Sequence, residues 1–368
     1  MDYMQQALTL ARLALGQVSP NPAVGALIVK GDEVIGQGYT QPPGSSHAEI
    51  VALEQAGESA KGAAMYVTLE PCCHYGRTPP CTKAIIAAGI SEVHIATLDP
   101  NPVVNGKGKD ELEAAGIKVF LGEHKQEARD INEAYMKYIT SGMPFVTAKY
   151  AMSLDGKIAT YSGDSKWISN EEARHYAHYL RCTSDAIMAG VNTVLIDDPH
   201  LTARCSGGKG GTGKEQPLRV IVDSKGKTQP TAQVFNEPGE TLLAMGMSVE
   251  PDKRKAYEKA GAIILELPSS SEGFIDLQKL LQELGKRQVT SVLVEGGSIL
   301  LGSMFDCGLV DKVVVFVAPI IIGGEKGKTA VAGKGVDKVV DSFKLKRMEI
   351  QRFGQDIMIS GYIAGGRE

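Results

Sequence analysis

His47, Glu49, Cys72 and Cys81 are residues whose types and spacing could do chemistry. An imidazole and two thiolates suit zinc, and three protein ligands leave a fourth position open for water. Zinc held that way draws the pKa of its water toward neutrality. A carboxylate two residues after the histidine can take the water's proton and pass it to a leaving amine.

The order His47-Ala48-Glu49, then Pro71-Cys72, then Cys81 follows the zinc-deaminase signature H-x-E…P-C-x-x-C, with one departure. Eight residues, not two, separate Cys72 from Cys81. Adjacent thiols rarely bind one metal together, so Cys72, directly after Pro71, is favoured over Cys73. The alternative is a closed structural staple with Cys73 or His74 as fourth ligand, which gives Glu49 no task. The intervening loop carries His74 and Arg77, an imidazole and a guanidinium suited to an anionic substrate.

These residues need elements to hold them. His47 is expected to open a helix with Glu49 in its first turn. Cys72 follows a strand over 63–69, and Cys81 opens a helix over 82–88 entered through Pro79-Pro80. Upstream, apolar residues at helical spacing predict a helix over 3–15 ended by Gly16. Strands over 24–29 and 33–38 form a hairpin at Gly31-Asp32. Strands at 93–98 and 118–121, a helix at 110–115 and a helix over 125–138 complete an α/β unit, a sheet flanked by helices. Residues 141–144 read as a boundary, giving domains 1–144 and 145–368.

The second half is α/β again. Strands are expected near 144–151, 186–189, 218–222, 241–244, 262–265, 291–294, 312–317, 348–351 and 356–362. A helix covers 170–181, and 191–204 reads as a polar-punctuated loop. Gly208 to Lys214 nearly matches a P-loop but fails, because Glu215 stands where Ser or Thr must ligate magnesium; it reads as a flexible insertion. Glu295 to Ser303 follows a strand and opens a helix, so its backbone could receive a phosphate, or it is only a tight turn. Asn21, Asp99 and Asn101 lie in Pro-containing loops, where turn chemistry competes with ligand binding. Trp167 is a core residue or a lid over a flat ring. Arg181 and Arg204 are surface ion-pair residues or phosphate contacts, with Arg204 the better placed for the latter.

Composition sets the bounds. The 368 residues suffice for two ordinary domains, and 43% hydrophobic with 22% charged residues describes a soluble globular chain. Through residue 144 there are 11 Lys and Arg against 16 Asp and Glu, a balance of −5; the remainder has 28 against 27. The acidic first half argues against a nucleic-acid substrate, which requires a basic footprint. Six cysteines, with Cys182, Cys205 and Cys307 isolated, are no disulfide framework. No basic n-region or membrane-length apolar run is visible, so the cytoplasm is the expected compartment and no membrane partner is expected.

Both halves resemble one family, the bifunctional deaminase–reductase of riboflavin biosynthesis, over about residues 1–363. The resemblance rests on S-P-N-P at 19–22, H-A-E at 47–49 and P-C-C-H-Y-G-R-T-P-P-C at 71–81. In the second half it rests on S-L-D-G-K at 153–157, S-K-W-I-S at 165–169, D-D-P-H-L-T-A-R at 197–204 and V-E-G-G-S at 294–298. It implies a cytidine-deaminase-like three-layer domain followed by a dihydrofolate-reductase-like mixed-sheet domain. It further implies zinc on His47, Cys72 and Cys81, with Glu49 as proton shuttle. Asn21, His74, Arg77, Asp99 and Asn101 would hold the deaminase substrate, a diamino ribosylamino-pyrimidinone phosphate. In the reductase, NADPH would meet Lys149, Ala151, Trp167, Thr193, Asp197 and Ser224. The turn Gly296, Gly297, Ser298, Ile299, Leu300, Leu301, Gly302 and Ser303 would complete that site. Ser165, Arg181, Leu201, Arg204 and Glu295 would meet the reductase substrate. Lys149 and Glu295 are the candidates for stabilising charge during hydride transfer. A homo-oligomer through the second domain is expected. The family often has His where this chain has Thr40, and the insertion 205–216 is longer than usual. Two alternatives stand beside this reading: a zinc deaminase of nucleosides or tRNA with a degenerate second domain, and a non-catalytic zinc-stapled module.

Overall fold

The structure is a computed structural model that describes residues 2–76, 78–204 and 216–364. The chain divides into a unit of residues 1–143 and a unit of residues 144–368.

The first unit runs α1 (Tyr3–Ala14), β1 (Gly25–Lys30), β2 (Glu33–Tyr39), α2 (Ala48–Ala56), β3 (Ala64–Val67), α3 (Cys81–Ala87), β4 (Glu92–Ile95), α4 (Lys107–Ala114), β5 (Lys118–Leu121), α5 (Lys125–Ile131) and α6 (Glu133–Ser141). Its sheet has the order β2-β1-β3-β4-β5. β1 pairs antiparallel with β2 and β3, and β3, β4 and β5 are parallel. Successive side chains of a strand point to opposite faces, and β1 shows the result. Ala26 and Ile28 enter a core with Ala48, Ala52 and Ile85, while Leu27 enters another with Met4, Leu8 and Ala128. Helices therefore cover both faces, giving three layers.

Two helix packings set the site. Gly38 lies under α2 so closely that a Cβ there would stand 2.4 Å from the Ala48 carbonyl oxygen. A Cβ on Gly36 would stand 2.3 Å from the Ala52 carbonyl oxygen. The small residues of β2 thus let the start of α2 sit down on the strand. At the other end, the helix expected over 125–138 is broken at Asn132. Its buried side chain accepts from Ala23 N (2.8 Å) and donates to the Ala23 carbonyl (2.9 Å), tying α5 and α6 to the loop before β1.

The second unit runs β6 (Phe145–Ser153), β7 (Lys157–Ala159), α7 (Glu171–Cys182), β8 (Ala186–Gly190), α8 (Val191–Asp197), β9 (Leu218–Val222), β10 (Thr241–Gly246), α9 (Pro251–Lys259), β11 (Ala262–Leu267), α10 (Leu277–Lys286), β12 (Ser291–Glu295), α11 (Ser298–Asp306), β13 (Lys312–Ala318), β14 (Lys328–Thr329), β15 (Leu345–Phe353) and β16 (Asp356–Ile363). Nine strands form one sheet in the order β11-β10-β9-β8-β12-β6-β13-β16-β15. The first seven are parallel and the last two antiparallel, so the sheet is mixed.

Residues 191–197, expected as loop, form α8, and the separate antiparallel pair of β7 and β14 was not foreseen. Cys182, single in the sequence reading, is disulfide-bonded, whereas Cys72, Cys73, Cys81 and Cys307 are free. The near P-loop 208–214 lies outside the described residues.

Candidate metal centre and reductase cleft

His47 caps α2 and Cys81 is the first residue of α3, so two helix N-termini converge on one point. Their unpaired N–H groups and positive dipole ends favour anionic ligands. One such group, Cys81 N, donates to Cys72 Sγ at 3.4 Å. His47 Nδ1 stands 3.6 Å from Cys72 Sγ and 3.3 Å from Cys81 Sγ. Ligands about 2.3 and 2.1 Å from a tetrahedral zinc are about 3.6 Å apart, so the donor triangle fits the ion. The second nitrogen of His47 faces the Thr78 hydroxyl at 3.4 Å, which orients the ring. Cys73 does not join the cluster.

The protonation of the cluster follows its geometry. Hydrogen bonding from Cys81 and from His47 holds the Cys72 thiol down, to about 4, despite burial. Cys81, hydrogen-bonded to Cys72 and buried, is pushed up. The hydrogen bond to Cys72 also raises His47. Glu49, on the first turn of α2, is 4% exposed. Burial and the neighbouring Cys72 charge raise its carboxyl to about 7, where it can both accept and release a proton.

Around this centre, His74 has a buried Nδ1 with no hydrogen-bond partner. Asp99 is buried and accepts from the Tyr135 hydroxyl at 3.0 and 3.1 Å and from Asn101 N at 2.9 Å. Burial raises the Asp99 carboxyl. Asn101 in turn accepts from Val103 N at 3.1 Å, so both residues carry turn bonds. Thr40 is buried and accepts from Val24 N at 3.1 Å, a loop-fixing role. Arg77 lies outside the described residues. The sequence reading missed Tyr135 and Glu70. Glu70 is buried and accepts from Asp99 N, Gly106 N and Lys109 N, which sets the loop that carries Asp99. Its place directly before Pro71-Cys72 was the available signal.

In the second unit, register puts Lys149 of β6 opposite Glu295 of β12. Arg181 of α7 donates to both Glu295 oxygens, from Nε at 2.6 Å and from Nη2 at 2.8 Å. Lys149 Nζ lies 3.9 Å from Glu295 Oε2. Burial opposes ionisation of Glu295, yet Arg181 and Lys149 hold it down at about 2. Burial lowers Lys149 against the pull of Glu295. His178, one turn before Arg181, was not foreseen; its Nδ1 is buried without a partner, and burial with Arg181 and Arg204 lowers it to about 4.

Beside this chain a cavity of about 1060 Å³ opens past the carboxyl ends of the parallel strands, where open α/β sheets take their ligands. Thr193, Asp197, Ser224, Gly297, Ser298 and Ser303 line it, as do Ser165, Ile299 and Leu300. Gly296 and Gly297 have φ of +78° and +77°, a conformation L side chains rarely adopt. The cavity's volume, and a largely apolar lining with a few polar groups, suit a dinucleotide. Other expected contacts are not brought there. Leu301 is 1% exposed, and a Cβ on Gly302 would meet the Ala332 carbonyl oxygen at 2.2 Å. Leu201 packs with Ile187 and Val194, and Ala151 packs against Phe316 and Val314. Trp167 is 71% exposed under the Arg174 guanidinium, so it is not a core residue. Arg204 is exposed.

The cytidine and deoxycytidylate deaminase zinc-binding region matches residues 1–97, and the RibD C-terminal domain matches residues 144–359. The riboflavin biosynthesis protein RibD of Aquifex aeolicus is 43% identical, with 97% of each chain covered. The chain belongs to the RibD family. The solved Acinetobacter baumannii RibD is 37% identical with a TM-score of 0.88, covering 98% of each chain. A diaminohydroxyphosphoribosylaminopyrimidine deaminase/5-amino-6-(5-phosphoribosylamino)uracil reductase from Thermotoga maritima is 34% identical with a TM-score of 0.83, again over 98% of each chain. Membership makes the chain a bifunctional deaminase–reductase of riboflavin biosynthesis, with a zinc-binding deaminase domain and an NADPH-dependent reductase domain. No helix among the described residues is long and apolar enough to cross a membrane.

Proposed function

We propose that residues 1–144 deaminate a 2,5-diamino-6-ribosylamino-4(3H)-pyrimidinone 5′-phosphate and that residues 145–368 then reduce its ribosyl chain to ribityl. The observation that carries the deaminase half is the donor triangle of His47, Cys72 and Cys81 with buried Glu49 beside it. Zinc on those three residues supplies a Lewis acid and an acidified water. Glu49 takes a proton from the water that adds to C2 and delivers it to the amine, which leaves as ammonia. His74, with its unpaired Nδ1, meets the phosphorylated substrate together with Arg77, Asn21, Asp99 and Asn101.

In the reductase half, NADPH supplies a hydride to C1′ of the ribose in its ring-opened imine form. Lys149 holds the proton that the imine nitrogen acquires. Glu295, fixed by Arg181, opposes the lowering that burial imposes on Lys149. Ser165, Arg181 and Arg204 face the substrate, and Thr193, Asp197, Ser224 and the turn from Gly296 hold the dinucleotide. Support for a homo-oligomer through this domain comes from the outermost strand, β15, where Met348 and Ile350 are 57% and 65% exposed. The cytoplasm suits a chain whose substrates are soluble phosphates.

Mass spectrometry of the pyrimidine product, with and without NADPH, tests the reading. Amine-to-oxygen exchange without NADPH, and gain of two hydrogens only with it, is the expected result. Hydrogen gain while the amine remains reverses the order; exchange alone removes the reductase assignment.

A further inference from the structure

Cys72 and Cys81 meet at one imidazole nitrogen, yet eight residues separate them. With two residues between them, both thiolates would share one helix start, and the helix would fix their separation. An extended stretch as long as the present loop reaches about 30 Å, so the loop alone does not hold the two sulfurs at one point.

A second connection runs through α4. Glu70 lies two residues before Cys72 and is 3% exposed. Gly106, the N-cap of α4, has no side chain, and Glu70 caps the helix in its place. Glu70 Oε2 accepts from Gly106 N at 2.9 Å and Oε1 accepts from Lys109 N at 3.1 Å, which sets an anion on the positive end of the helix dipole. The approach is close. A Cβ on Gly108 would stand 2.1 Å from the Pro71 carbonyl oxygen, so the first turn of α4 rests on the residue before Cys72.

One turn further along, α4 reaches the other thiolate. Glu111 Oε2 accepts from the Thr82 hydroxyl at 2.8 Å, and Oε1 pairs with Lys83 Nζ at 2.7 Å. Thr82 is fully buried and directly follows Cys81 in the first turn of α3. Its backbone N–H donates to the Cys72 carbonyl at 3.2 Å. Glu70, α4, Glu111 and Thr82 therefore link Cys72 to Cys81 by a short helical route in parallel with the long loop. The Lys83 side chain is 63% exposed, and exposed ion pairs contribute little. The buried hydroxyl bonded to a carboxylate is the stronger tie.

We propose that α4 braces the metal centre: Glu111, set by the Glu70 cap, positions Cys81 against Cys72 through the Thr82 hydroxyl, and so governs how tightly the donor triangle holds zinc. Glu70, Glu111 and Thr82 are positioning residues that act through the two cysteines. The proposal rests on zinc being held by His47, Cys72 and Cys81, and it adds what spaces them.

The test measures zinc affinity by chelator competition and the visible spectrum of the cobalt(II)-loaded protein, alongside kcat and KM for deamination. Thr82→Val keeps the shape and removes the hydroxyl. Its zinc affinity falls ~10–100-fold, the scale for a group that orients a ligand. Its cobalt bands shift and weaken, and kcat falls while KM changes less than about twofold. Glu111→Ala behaves alike. Glu111→Gln still accepts from Thr82 through its amide oxygen and keeps most of the affinity and the spectrum. Lys83→Ala keeps both. Glu70→Gln weakens zinc and also raises KM, because Asp99 N donates to the same carboxylate. The pair Thr82→Val with Glu111→Ala loses no more than the larger single variant, since both remove one bond. Unchanged affinity and spectrum in Thr82→Val and Glu111→Ala overturn the brace, as do additive losses in the pair or equal losses in Glu111→Gln and Glu111→Ala. Should Glu111→Ala not fold, Thr82→Val and Glu111→Gln decide the matter. Failure of the unaltered chain to bind zinc sinks the metal-centre reading and the brace with it, whereas tight zinc in every variant sinks only the brace.

Discussion

The two reaction centres differ in how their protons are held. At the metal centre, Cys72, Cys81, His47 and Glu49 share protons among buried groups, and Glu49 sits at about 7, near the middle of its titration. At the reductase centre, Glu295 is fixed at about 2 by Arg181 and Lys149, and its charge does not change at working pH. Where the side chains themselves move protons, the fold leaves those protons mobile. Along the Arg181–Glu295–Lys149 chain the fold instead fixes an anion between two cations, beside a cavity.

The largest expected effects test the first half of that contrast. Cys72→Ala should lose metal by elemental analysis and lower deamination at least ~100-fold, the scale already reached when only a supporting second-shell group is removed. Cys73→Ala should keep both, and loss of metal there would replace the donor set. Glu49→Gln should retain metal while deamination falls by ~10²–10⁴; reduction of an already deaminated substrate should be unchanged. Activity persisting in Glu49→Gln would falsify the proton-shuttle role.

The next effects probe the fixed charges. Arg181→Ala leaves Glu295 buried beside a single, more distant cation and should destabilise the second unit by roughly 3–5 kcal/mol, measured by denaturant unfolding. The pH dependence has a definite sign. The Glu295 carboxyl falls from 4.5 to about 2 on folding, so its contribution is present above 4.5 and is lost as pH drops toward 2. Glu295→Gln, less stable at neutral pH, should show a shallower loss across that window; an unchanged slope would separate Glu295 from acid stability. The smallest effect is Tyr135→Phe, which removes the hydroxyl bonded to Asp99. It should cost about 1 kcal/mol and change deamination a few-fold.

The metal centre was legible because its ligands announce themselves by type and order. Cys72 over Cys73 followed from the Pro-Cys step, and the helices opened by His47 and Cys81 lie where capping and Pro79-Pro80 put them. The reductase centre was less legible because its parts meet only through register. Nothing local links Lys149 to Glu295, 146 residues away, until β6 and β12 pair. Residues 191–197 looked like loop because Asn192, Thr193 and Asp197 are polar, but Val194 alone anchors that short helix in the core. The break at Asn132 was hidden for a related reason: its bonds reach back to Ala23, far outside any helical window. Leu201 and Leu301 were placed near ligands by motif, while burial put them in the core.

The glycines of β2 carry one more consequence. Gly38 has no polar atom in a side chain and no ligand, yet a single methyl group there cannot coexist with the present seat of α2. His47 and Glu49 ride on that helix end. The metal chemistry therefore depends on a strand that never touches the metal. In the design of variants, and in the drift of sequences over time, β2 is the quiet place where this catalyst can be switched off without altering any of its reactive groups.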